Sequence, residues 1–258
     1  MTSTVLRAAL VTACLAAPSA TLAQPAPSRT SQPSIDPRAE KVLHDMATYL
    51  SGLENFQVQS ETTDEIVLTN GSKVQQVTTS LVSIHRPNKL RSEQIGPGAK
   101  LTAWYDGKTL ALYCKSSNTY GVVPAPPTID ETLDVARKKY GVDAPAADLI
   151  YSQPYEVLTE HAKSGQYLDV ESVDGVAAHH LAFQQDDVDW QIWVKQGPQP
   201  LPVRYVITTK SMADQPEFTA RLTNWKTDVS PPATAFGFQP PAGAKRVAEL
   251  PSTCPQAG

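Results

Sequence analysis

The chain has 258 residues, with 22 Lys+Arg set against 26 Asp+Glu and a formal net charge of -4. This mild acidity, without basic clusters, argues against nucleic acid or an anionic membrane surface as a partner. The length suits one all-β domain, since such folds often run to about 250 residues without splitting.

Arg7 precedes a mostly apolar, small-residue run from Ala8 to Ala23, which closes on Thr21-Leu22-Ala23 before Gln24. That is the pattern of a secretory signal, residues 1–23, cleaved after Ala23. Pro18 and Ser19 break the run, and it falls short of the roughly 18 apolar residues a spanning helix needs. No transmembrane segment is therefore expected after cleavage. Val11-Thr12-Ala13-Cys14 offers a competing route, lipid attachment at Cys14, although Arg7 lies too near for a normal apolar core ahead of the cut. Residues 24–35 are rich in Pro, Ser and Gln, have almost nothing to bury, and read as a disordered lead.

Order is expected from Asp36. Asp36-Pro37 places a capping carboxylate before a proline at the first helical position, and Val42, Met46, Tyr49, Leu50 and Leu53 recur at helical spacing. This predicts an amphipathic helix of roughly 17 residues ending near Gly52. From Asn55 the period becomes two, with Phe56 and Val58 alternating with Gln57 and Gln59. Turn signals at Asn70-Gly71, Pro87-Asn88, Gly96-Pro97-Gly98 and Asp106-Gly107 divide the stretch into hairpins. The arms around Asn70 are long, which predicts a strongly curved sheet.

The pattern breaks at Val123-Pro124-Ala125-Pro126-Pro127. Asp130 to Tyr140 then reads as a helix stopped by Gly141, and Ala144 to His161 as two short helical stretches split by Pro154. This insert, about 128–161, suits a helical lid across the sheet. Strands resume over 166–173, 176–185, 188–196, 201–210 and 216–226. Trp190, Ile192 and Val194 share one face, as do Val203, Tyr205 and Ile207, so one side of the sheet is much more apolar than the other. Phe236 and Phe238 could close the core. The expected organisation is a single mainly β (α+β) domain over 36–247, followed by a flexible tail, 248–258.

Few residues suggest chemistry. No Gly-x-Ser-x-Gly elbow, Gly-x-Gly-x-x-Gly, phosphate loop or His-Glu-x-x-His is present, and neither a catalytic residue nor a cofactor is expected. His179-His180 lie near Asp186, Asp187 and Asp189, but adjacent strand residues point to opposite faces, so the histidines cannot share an ion. One is expected to pack and the other to meet solvent, with the aspartates solvated at a turn. Trp190 and Trp193 likewise fall on opposite faces, Trp190 inside and Trp193 under an outer helix or loop. Cys114 and Cys254 survive processing; they could form a disulfide, or stay as thiols because nothing fixes the Pro-rich tail that carries Cys254. Neither has the neighbours of a metal site.

Ile35-Asp36-Pro37-Arg38-Ala39, Tyr105-Asp106-Gly107-Lys108-Thr109-Leu110, Val173-Asp174-Gly175-Val176 with His179-His180-Leu181-Ala182-Phe183, and Asp189-Trp190-Gln191-Ile192-Trp193-Val194 together resemble a family of predicted periplasmic proteins, domain of unknown function 2092. That family is similar in fold to the lipoprotein carriers LolA and LolB and to the sensor RseB. The resemblance spans about Ile35 to Val247. It implies a periplasmic protein with a curved, half-open antiparallel β-barrel whose apolar concave side is covered by helices, with acyl chains held between. The key arginine of the carriers has no matching motif here.

The concave wall is accordingly expected from Phe56, Val58, Trp104, Leu110 and Leu112 in the first half of the sheet. Leu181, Phe183, Trp190, Ile192, Val203 and Tyr205 should continue it in the second half. Leu133, Tyr140, Leu149, Ile150, Tyr155 and Leu158 would form the cover. These expectations describe a monomeric, non-enzymatic binder of a lipid, acyl chain or lipoprotein. An envelope module that binds a partner protein is the alternative, and a hydrolase the third reading.

Overall fold

The structure is a computed structural model that describes residues 34–96, 100–142, 144, 146–251 and 254. The expected signal (1–23), Cys14, the lead up to residue 33 and Pro97-Gly98 lie outside these residues.

The first helix, α1 (Pro37–Ser51), starts as the sequence dictates: the Asp36 carboxylate accepts the Arg38 amide at 2.8 Å, and Pro37 occupies the first turn, where no amide is needed. Its inner face carries Leu43, Met46 and Leu50, all fully buried. Leu43 takes the place in that stripe expected for Val42. Ile35, placed in the disordered lead by its surroundings, instead makes a parallel bridge to Gly165.

Six strands follow as a meander: β1 (Asn55–Val67), β2 (Lys73–His85), β3 (Lys89–Ile95), β4 (Leu101–Tyr105), β5 (Thr109–Cys114) and β6 (Thr119–Pro124). The insert contains α2 (Ile129–Tyr140), a 3-10 turn at Ala147–Ile150, and α3 (Pro154–Thr159). Thr128 caps α2, and Gly141 ends it at φ 62°, a left-handed turn that glycine adopts without strain. Pro154 opens α3 rather than breaking a helix, because a first-turn proline has no hydrogen bond to lose. A second meander runs through β7 (Ser164–Val173), β8 (Val176–Gln184), β9 (Val188–Lys195), β10 (Pro202–Thr209) and β11 (Glu217–Lys226). Its strand limits fall within a residue or two of those expected.

The two meanders form one sheet because β1 pairs antiparallel with β11. With the short β12 (Lys245–Arg246) parallel to β6, the order is β12-β6-β5-β4-β3-β2-β1-β11-β10-β9-β8-β7. β12 and β7 do not meet, so this is the long, curved, open sheet that was anticipated.

Residues 245–250, which include the start of the expected flexible tail, lie as a strap along β6. Val247 donates to the Tyr120 carbonyl at 2.8 Å, and Leu250 is buried. Gly121 of β6 makes this possible: a Cβ there would sit 2.5 Å from the Glu249 carbonyl oxygen and 2.9 Å from the Leu250 Cα. Gly121→Ala is expected to lift the strap and cost about 1–3 kcal/mol. Thermal unfolding together with limited proteolysis near residues 247–250 checks this; unchanged resistance to cleavage would refute it.

Candidate functional site

The concave face is divided between two uses. Opposite the second meander, α1 lies against β7 and β9, and its Leu43, Met46 and Leu50 join Leu181, Phe183, Trp190, Ile192 and Tyr205 in one tightly buried cluster. Phe183 stacks on Trp190 with centroids 4.1 Å apart, and Tyr205 meets Trp190 edge-on at 5.9 Å. Burial drives the Tyr205 phenol well above its ordinary pKa. Phe56 and Leu158 are buried in the same cluster, with Tyr140 and Tyr155 packed at its border. These residues pack with the helices as core and are not among those lining the cavity described next.

Opposite the first meander the helices stand off. A cavity of about 460 Å³ lies between β1–β5 and β11 on one side and α2 with the 3-10 turn on the other. Of the residues expected to line it, Val58, Leu110, Leu112, Leu133, Leu149 and Ile150 do so. The sequence reading missed Tyr105, Ile129, Tyr151, Phe218, Leu222 and Trp225. It also missed a polar set on β1–β3, whose period-2 signal is carried by polar rather than apolar residues.

The lid is tied to the sheet at several points. The Arg86 guanidinium, after β2, donates to the Ile150 carbonyl at 2.9 Å, and the Ile129 amide to the Pro87 carbonyl at 2.9 Å. The Tyr105 hydroxyl donates to Pro126 at 2.6 Å, while within the insert the Ser152 amide donates to the Asp130 carboxylate. Burial pushes the Arg86 pKa down, opposed by the nearby Asp130 charge. Burial, reinforced by the hydroxyl's bond to Asp134, raises that of Tyr151. Arg86 Nε and Nη2 have no partner among the described residues, so removing the charge relieves desolvation as well as cutting a tether. Arg86→Met is therefore expected to leave global stability nearly unchanged while raising amide hydrogen exchange over residues 147–152 by about tenfold. Exchange read by mass spectrometry decides it, and equal rates in both proteins would refute the tether.

Two expected wall residues face the other way. Trp104 lies on the convex side, its ring 5.1 Å from Phe238 and under the Arg91 guanidinium, because the strand phase puts Tyr105 inward. Val203 packs with Trp193, Ala178 and Val206 on the convex side, since a register shift between Pro202 and Arg204 breaks the alternation that groups it with Tyr205. Phe236 is buried, whereas Phe238 packs outside.

Trp193 is on the outer face, where side chains of neighbouring strands cover it. His180 stacks on it at 3.9 Å, Arg204 lies over it, and its indole N–H donates to Glu171 at 2.8 Å. That bond, with another to His180, holds the Glu171 carboxyl below its usual range. His179 points to the opposite face and meets the Tyr167 hydroxyl at 2.9 Å. Asp186 and Asp189 pair with Lys163 and Lys210. Among the described residues no group of three or more His, Cys, Asp or Glu could hold a metal, and no helix is long and apolar enough to cross a membrane. Cys114 and Cys254 are brought into bonding position, their Cα atoms 5.6 Å apart.

The fold is thus an open, mainly antiparallel sheet whose apolar concave face is partly filled by helices and partly hollow. Residues 39–249 match the model of a family described as a predicted periplasmic protein, DUF2092, and the chain belongs to that family. Among solved structures it is similar to the Mycobacterium tuberculosis lipoprotein LppX, at 12% identity and TM-score 0.48, covering 76% of this chain and 98% of that one. A LolA superfamily protein from Nitrosomonas europaea matches at 12% identity and TM-score 0.42, covering 78% and 97%. The MucA/MucB complex of Pseudomonas aeruginosa matches at 15% identity and TM-score 0.42, covering 78% of this chain and 61% of that one. No curated protein matches in sequence.

Proposed function

We propose that this periplasmic protein binds an apolar ligand, a lipid or acyl chain, in the cavity between the first meander and the helical insert. The observation that carries the reading is the void itself: about 460 Å³ stays unfilled between walls that include Leu110, Leu112, Leu133 and Leu149. Pockets for drug-sized ligands run to roughly 300–1,000 Å³. About a dozen methylenes desolvated there would supply roughly 10 kcal/mol gross, from which immobilisation takes several. Micromolar binding is within reach without a charged anchor. Native mass spectrometry of protein purified from its own periplasm tests the reading. A lipid-sized mass increment, or uptake of a fluorescent fatty acid by the stripped protein, supports it; a clean apo mass with no uptake refutes it.

A second reading, a module that binds an envelope protein, is favoured by the β7 edge. Among the described residues Ile35 bridges that strand at Gly165, and beyond it Leu168 and Val170 are exposed on an edge strand where the Val170 amide donates to the Asp169 side chain, the arrangement that accepts an added strand. A single stoichiometric protein recovered by pull-down from envelope extract, and lost with Val170→Pro, would support it.

A further inference from the structure

The cavity is graded along β1 and β2. Cross-strand pairs on its face run from Phe56–Ile84 and Val58–Val82, both apolar, to Ser60–Ser80, Thr62–Thr78 and Asp64–Gln76, all polar. On β3 the same face continues with Leu90, then Ser92 and Gln94, and all three line the cavity. A wall facing only a hydrocarbon has no use for this change, because a hydroxyl placed against an alkyl chain loses its hydrogen bonds to water.

We propose that the cavity takes a single-chain amphiphile with an uncharged, hydroxyl-bearing head, its chain toward the Val58–Val82 pair and its head on the Ser60–Ser80 and Thr62–Thr78 pairs. The inference rests on the lipid-binding reading above and specifies its ligand. Three observations support it. Ser60, Ser80 and Ser92 are partly buried in the wall, and their side-chain hydroxyls make no hydrogen bond to another described residue, so they are open to donate to and accept from a ligand. The Gln94 side-chain carbonyl already accepts the Lys100 and Leu101 amides, which turns its NH₂ group into a fixed donor at the same rim. Among the described residues the charged side chains lining the cavity are Asp64, Asp148 and Arg137, and Arg137 lies 3.7 Å from Asp134. Among these described charges the carboxylates outnumber the guanidinium two to one, so an anionic head finds no excess of positive charge to offset its desolvation. A neutral polyol such as glycerol or a sugar matches hydroxyls with hydroxyls at no such cost. The volume also suits one chain better than the several chains of a larger lipid.

The test is competition against N-phenylnaphthylamine, an apolar fluorescent probe, on the lipid-stripped mature protein at neutral pH. The competitors share one chain length: monomyristoylglycerol, myristate and myristyl phosphate. Monomyristoylglycerol is expected to bind at least about tenfold more tightly than either anion, and Ser60→Ala/Ser80→Ala to cut that advantage over myristate about tenfold. Equal binding of the three, or an unaffected double variant, with the probe still bound, overturns the assignment of the head and leaves the lipid-binding reading standing. Failure of the folded protein to bind the probe at all overturns both.

Discussion

Ala103→Trp should lower the affinity for an apolar ligand more than a hundredfold while leaving the protein folded. Ala103 sits on β4 between Ser92 and Leu112, faces the cavity, and is only partly buried. An indole projecting from it would enter existing space instead of forcing packed groups apart, and aromatic residues suit strands. The space it takes is that of about four ligand methylenes, each worth ~0.8 kcal/mol, so the loss slightly exceeds ~3 kcal/mol. Titration with the fluorescent fatty acid, alongside near-ultraviolet circular dichroism to verify the fold, provides the measurement. A variant that is native by dichroism and binds as tightly as the parent would show that ligand does not occupy this cavity.

Joining Cys114 to Cys254 should contribute up to roughly 5 kcal/mol, because the cross-link would close a loop of 140 positions in the unfolded chain. The Cα separation of 5.6 Å lies inside the range a disulfide spans. Cys114 is fully buried on β5, and the strap reaches it by way of the buried Leu250, so the bond would anchor the C-terminus beyond β12. Cys114→Ser/Cys254→Ser is expected to lower the melting temperature by about 10–20 °C at this size. Thiol titration under denaturing conditions and melting with and without reductant check the point; two free thiols in protein oxidised in the periplasm would contradict it.

Much of this architecture is written locally. Asp36-Pro37 and Thr128 with Gly141 mark helix ends because capping depends on a few adjacent residues, and the alternation of Trp190 with Ile192 fixes a face because the strand period is two. The division of the concave side was not legible. The sequence shows that α1 has an apolar stripe, but a stripe does not say which half of a sheet it covers, and by covering the second half α1 converts Leu181, Phe183 and Trp190 from wall to core. Trp104 beside Tyr105 gives an ambiguous phase, since either aromatic could point inward. Val203 follows a proline at a strand entrance, where a bulge reverses sides. Ser60, Thr62 and Asp64 were silent because Glu61 and Thr63 between them are polar as well, and alternation shows only where the two faces differ.

The seam between β1 and β11 also bears on when the molecule can assemble. Arg221 bonds to Glu61 across 160 positions, so the first long strand stays without one neighbour until nearly the whole polypeptide has emerged. Contacts of such separation form slowly. A chain built this way completes its sheet only after its C-terminal third is free to pair with β1.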